Sequence, residues 1–165
     1  MKAIVKYLSY LVRHKWFVMI ECFKVGLIWR GLVHDMSKFL PDEFFPYANY
    51  FYGPDGWKHR RSKHGYYRPY HTGDEHFDFA WLKHQKRNRH HWQWWVLPKD
   101  DGRTIVFPMA EKYMKEMICD WKGAGRAQGK SDDDLVPWWE ENKGRMRLSP
   151  RTRHWIEMEI FGIPF

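Results

Sequence analysis

His34-Asp35 closes a stretch, Trp16 to Val33, whose apolar residues predict burial. A buried imidazole and carboxylate need compensating partners, so the fold must bring other polar groups to them. The groups that can do so lie far off in sequence: His14 twenty residues upstream, His84 and the pair His90-His91 downstream, and Asp120 last. Asp120 is itself set among Met117, Ile118, Cys119 and Trp121. A chain that buries all of these must fold four separate segments around one point.

Those segments read as helices. Ile4, Val5, Leu8, Leu11, Val12, Val18, Met19 and Cys22 recur close to a helical period, which predicts a helix over 3–24 ended by Gly26. A second helical stretch over 27–37 carries His34 and Asp35. Pro41, with Asp42 and Glu43 suited to an N-terminal dipole, opens a third. Residues 53–73 hold four Gly and two Pro and predict a long irregular loop. A helix is expected from Asp74 to about Asn88, with an extension towards Trp94 open. Trp95 to Phe107, with Asp101-Gly102 at its middle, has hairpin chemistry. Pro108 opens a helix that carries Glu116 and Asp120 and stops near Gly123. Ser131 or Asp132 caps a short helix through Trp138 and Trp139, and Ser149-Pro150 opens a last helix ending at Gly162. The expectation is one domain over 1–165, all-α apart from a small β-hairpin.

The net charge of +8 and pI near 9.5 favour an anionic partner: a phosphorylated small molecule such as a nucleotide, or nucleic acid. Two cysteines make no disulfide framework, which suits a reduced, cytoplasmic setting. Glu21, Lys24 and Arg30 interrupt the apolar stretch, so no membrane span is expected. The oligomeric state is left open.

Imidazoles and carboxylates converging from different elements suit a divalent cation. Helical neighbours point about 100° apart, so His34 and Asp35 do not share a direction, and Asp35, with two oxygens, is suited to bridge two ions. His14, His34, Asp35 and Asp120 make the first set. For the second, His84 and His91 lie two turns apart if the helix continues, with Asn88 between them. If it ends near Asn88, either His90 or His91 can reach inward. Such ligands suit Mn, Fe, Co, Ni or Zn better than Mg. Lys38, in His34-Asp35-Met36-Ser37-Lys38, and Arg126, in Gly123-Ala124-Gly125-Arg126, suit phosphate. Arg87 and Asn88 suit substrate contact, and Glu116 is placed to orient a ligating imidazole.

Each of these has a plainer reading. His14 taken alone reads as a packed or surface histidine, and Asp120 as a helix cap or a partner of Lys38 or Arg126. Lys38 suits a helix end and Gly123 a helix stop. Trp81, Trp92, Trp94 and Trp95 suit core packing better than base stacking, and Lys58 to His64 a solvated loop.

The series His14, His34-Asp35, His84, His90-His91, Asp120 resembles the HD-domain metal-dependent phosphohydrolase superfamily, over about residues 10–125. That resemblance implies an all-helical bundle with ligands in the order His, His-Asp, Asp, and two metals where extra histidines are present. His34 to Lys38 looks like the His-Asp-x-x-Lys form of the HD-GYP branch, whose lysine contacts phosphate. The implied activity is hydrolysis of a nucleotide or related phosphoester by metal-activated water, with Asp35 and Lys38 catalytic. His84 and His91 stand closer together than the third and fourth histidines of two-metal members, so either the second site is compact or one of them has another role and His59, His64, His71 or His76 supplies a ligand. The ligand order is also similar to that of HD-type mixed-valence di-iron oxygenases, the second expectation. A non-enzymatic, basic binding module for nucleic acid or protein is the third. The stretches Gly31 to Phe39, Ala80 to Gln85, Asn88 to Trp92 and Met117 to Arg126 also resemble an uncharacterised family of small phage and bacterial proteins.

Overall fold

Tyr7, Leu11, His14, Val18 and Cys22 recur every three or four residues along one side of α1 (Lys2–Lys24) and are all buried. The computed structural model of the protein describes residues 2–55, 72–131 and 135–162, in which seven α-helices accompany one two-stranded antiparallel sheet. α1 ends as expected, with Gly26 in the left-handed region at φ +76°.

α2 (Ile28–Val33) packs on the end of α1 because Gly31 has no side chain: a Cβ there would stand 2.9 Å from Cβ of Cys22. The helix expected over 27–37 breaks at His34-Asp35. His34 is extended (φ −52°, ψ 131°), Asp35 is left-handed (φ 53°), and a 3-10 turn, Met36–Phe39, follows. Lys15 Nζ donates to the His34 carbonyl at 2.6 Å, which satisfies an acceptor the break leaves over. A left-handed residue other than glycine costs on the order of 1–3 kcal/mol, and a short polar Asp is among those that visit this region.

α3 (Pro41–Tyr52) starts on the expected proline. Its Tyr47, Ala48 and Tyr50 pack with Tyr7 and Leu11 of α1 and with Phe77 and Ala80 of α4 (Glu75–Arg87). Asp74 caps α4 by accepting from the Phe77 amide at 3.0 Å. The extension towards Trp94 does not form. Asn88 Nδ2 folds back to the His84 carbonyl at 2.9 Å, and the chain turns before a 3-10 turn at Trp92–Trp95. The expected hairpin follows, β1 (Val96–Pro98) against β2 (Thr104–Val106), with Val96 opposite Val106.

α5 (Glu111–Ala127) runs through Gly123 instead of stopping there. A Cβ at Gly123 would lie 2.4 Å from Val18 Cγ2 and 2.7 Å from the Val18 amide nitrogen, so this glycine is where α5 meets α1. α6 (Leu135–Asn142) and α7 (Pro150–Phe161) complete the chain, with Ser149 capping α7 and Gly162 ending it, as expected. Trp139 and Ile156 bring these helices onto Met114, Met117 and Ile118 of α5, with Trp92 and Trp95 packed against the same cluster. Val18, Cys22 and Cys119 close α1 on α5, and both cysteines are free thiols.

His59, His64, His71, the basic run 58–64 and the candidate cap Asp132 lie outside the described residues. Ser131 is exposed, and His76 is exposed near the start of α4. Among the described residues no helix is long and apolar enough to cross a membrane.

Candidate metal centre

The helices deliver donors to one buried place. His14 comes from the middle of α1, and His34 and Asp35 from the break after α2. His84 comes from the last turn of α4, His90 and His91 from the turn beyond it, and Asp120 from α5. All are buried except His91, which is half-buried. The break matters: outside a regular helix, His34 and Asp35 are free of the 100° rule and both face inward.

Asp35 divides the histidines between its two oxygens. Oδ2 lies 3.4 Å from Nε2 of both His14 and His34. Oδ1 lies 3.4 Å from Nε2 of His84 and 3.3 Å from Nε2 of His90. Oδ1 of Asp120 completes the first set, 3.2 Å from His14 and 3.4 Å from His34. The His91 ring joins the second, its centroid 4.7 Å from that of His84 and 4.3 Å from that of His90. In each set, His14, His34, Asp35, Asp120 and Asp35, His84, His90, His91, one donor atom per residue lies within 4.8 Å of every other. The choice between His90 and His91 therefore dissolves, since the turn presents both.

The spacing is compatible with donors gathered around a common ion. Charge-assisted N–H···O contacts close to about 2.7–2.9 Å. Nitrogen and oxygen donors held about 2.0–2.2 Å from a common ion in tetrahedral array stand roughly 3.3 Å apart. The contacts to Asp35 and Asp120 span 3.2–3.4 Å within the two sets. Nε2 of His14, His34, His84, His90 and His91, and Oδ1 of Asp35, are buried without a hydrogen-bond partner. Buried polar atoms are ordinarily satisfied. These clusters can hold metal ions.

The outer nitrogens of three rings meet carboxylates, the arrangement that orients ligating imidazoles. Glu43 Oε2 lies 2.8 Å from Nδ1 of His84. Glu116 Oε1 lies 3.2 Å from Nδ1 of His34 and 3.4 Å from that of His90. An arginine anchors each glutamate on its other oxygen, Arg87 Nη1 donating to Glu43 and Arg30 Nη1 to Glu116, both at 2.6 Å. Arg30 also lies over the Tyr113 ring at 4.1 Å. Ser37 Oγ donates to Glu43 at 2.9 Å and accepts from Asn88 Nδ2 at 2.8 Å.

Electrostatics follow from this packing. Burial opposes charge on His34, yet Asp35, Asp120 and Glu116 hold its pKa well above the ordinary imidazole value. Burial likewise opposes ionising Asp35, and His34, Lys38 and His84 pull it well below the carboxylate range. Burial, with His90 and His84 alongside, drives His91 well down. Glu116, opposed by burial, is drawn to about 2 by His34 and His90.

Lys38 lies at the cluster, its Nζ 2.6 Å from Asp35 Oδ2. Asn88 and Glu116 touch the ring-bearing groups as described. Arg87 grips Glu43 and, bidentately, Asp42. Arg126 is drawn elsewhere, donating to Glu21 Oε1 at 2.6 Å and lying over Phe17. The Gly123-Ala124-Gly125-Arg126 stretch is helix, not a phosphate-cradling turn. Trp81 stacks on His84, its ring centroid 5.7 Å away.

Glu43, Ser37, Arg30 and Lys15 escaped the sequence reading. Glu43 looked like an ordinary first-turn acid. Arg30 carried a usable signal, since a charge inside an apolar run needs a partner.

Fold and cluster together define a mostly helical protein whose buried histidines and aspartates can hold metal. The chain belongs to a family of unknown function, DUF5662, which it matches over residues 3–161. No curated protein and no solved structure matches it.

Proposed function

We propose that the protein is a divalent-metal phosphohydrolase of the HD type, acting on a nucleotide or related phosphoester. The observation behind this is Asp35, whose two oxygens face two separate histidine sets while Lys38 stands 2.6 Å away. His14, His34, Asp35 and Asp120 would hold one ion, and Asp35, His84, His90 and His91 the other. This nitrogen-oxygen donor set suits Mn²⁺, Fe²⁺, Co²⁺, Ni²⁺ or Zn²⁺.

Bound there, the ions would supply Lewis acidity towards water and a phosphoryl oxygen near neutral pH. The chain's own residues do the rest. Lys38 places a fixed positive charge beside Asp35, where it stabilises charge growing on the phosphoryl group. Glu43 and Glu116 keep the imidazoles in place, so that they need not reorganise during the reaction. Arg87, tied to Asp42 and Glu43, supports the His84 side of the site through Glu43. The positive net charge draws anions towards the protein.

The test is turnover of nucleotides, cyclic nucleotides and phosphodiesters with Mn²⁺, Fe²⁺ or Ni²⁺, using untagged protein. Hydrolysis by the wild type that Asp35→Ala abolishes, with helical circular dichroism retained, supports the proposal. No hydrolysis of any phosphoester overturns it. Repeating the assay without O₂ separates hydrolysis, which persists, from di-iron oxygenase chemistry, which stops.

A further inference from the structure

α1 has three sides. One is the buried stripe from Tyr7 to Cys22. Val5, Leu8, Val12 and Trp16 form a second apolar stripe, about a third of a turn round the helix. These four stay exposed, Val5 at 63%, Val12 at 56% and Trp16 at 57%. Lys6 and Arg13 lie roughly a further quarter turn on, outside the stripe.

α2 broadens this face. Its Gly31 sits against Cys22 and Met19 of α1, and its Arg30 turns to Glu116 on α5. Ile28 and Leu32 therefore fall on the opposite flank, beside the α1 stripe, and Trp29 stands on the crest at 72% exposure. From these fractions the seven residues of the face leave roughly 750 Å² of their surface uncovered, above the roughly 300–600 Å² of a typical monomer's largest patch. It approaches the roughly 800 Å² that each partner buries in a stable protein complex.

We infer that a second copy of this chain covers the face, through a two-fold contact of α1 and α2 with their own counterparts. A straight ridge of side chains at i, i+3, i+7 and i+11 can interlock with itself across a two-fold axis. Its area is what such a contact needs. Lys6 and Arg13 stay at the rim, where water and salt screen their mutual repulsion. This contact does not depend on the metal reading.

Sedimentation equilibrium of the full chain from 1 to 100 µM decides the matter, at low and high salt. The expected mass is twice 20.3 kDa, with association unchanged or tightened by salt. Val12→Glu and Trp16→Glu should each weaken association at least ~30-fold, as hot-spot residues do. Both side chains are more than half exposed, so the circular dichroism spectrum and metal content should not change. Val5→Glu provides a third variant should one of these misfold. A single-chain mass at 100 µM overturns the inference, as does a dimer that ignores all three substitutions. A monomer that sediments with phosphatidylserine vesicles and is released by salt would assign the face to an anionic lipid surface instead.

Discussion

Glu43 Oε2 stands 2.8 Å from Nδ1 of His84, and both residues are wholly buried. With Arg87 and Ser37 on the same carboxylate, Glu43 has one geometry open to it, and so does the ring. Removing its charge with Glu43→Gln should weaken binding of one ion by about 10–100-fold and leave the other unchanged. Competition with a chromophoric chelator would show two classes of site in the variant. Two unchanged affinities would contradict the role given to Glu43.

Lys38→Met should separate chemistry from metal binding. The ammonium neighbours Asp35 but ligates nothing, so metal content should hold while kcat falls about 10²–10³-fold, the usual effect of removing one stabilising donor. A variant with full turnover would make Lys38 a structural cation.

Removing metal should destabilise the fold. Among the described residues, the Nε2 atoms of five imidazoles and an Asp35 oxygen are buried without hydrogen-bond partners. At a thousandfold excess over Kd, one bound ion stabilises by about 4 kcal/mol, or about 8–16 °C in Tm for a chain of this size. Thermal unfolding before and after chelation measures this, and an unchanged Tm would speak against ions at the cluster.

Gly123→Ala should cost about 1–3 kcal/mol by overpacking, because its Cβ would press on the Val18 backbone at 2.7 Å. Gly125→Ala, whose nearest neighbour would be Lys130 Cβ at 3.7 Å, should be neutral or stabilise by up to about 1 kcal/mol. Urea unfolding of both distinguishes the contact between α1 and α5 from a general dislike of alanine in this helix.

The helices were legible where periodicity and caps agreed, as for α1 with Gly26 and α7 with Ser149, Pro150 and Gly162. The donors were legible because polar residues in apolar runs demand partners. The end of α4 near Asn88 was also expected, and Asn88 donating to the His84 carbonyl closes off the longer alternative. Other features were not legible. The break at His34-Asp35 rests on a left-handed Asp, and no local residue pattern announces it. Gly123 read as a stop because the demand for a missing side chain comes from Val18, 105 residues away. A helical period alone does not tell which α1 apolar residues tertiary packing buries and which it leaves as an exposed row.

The most direct test of the account is anomalous diffraction from crystals grown with Mn²⁺ or Fe²⁺. Two peaks should flank the carboxylate of Asp35, one among His14, His34 and Asp120 and the other among His84, His90 and His91. No peak at that carboxylate, in crystals diffracting well enough to show its side chain, would contradict it.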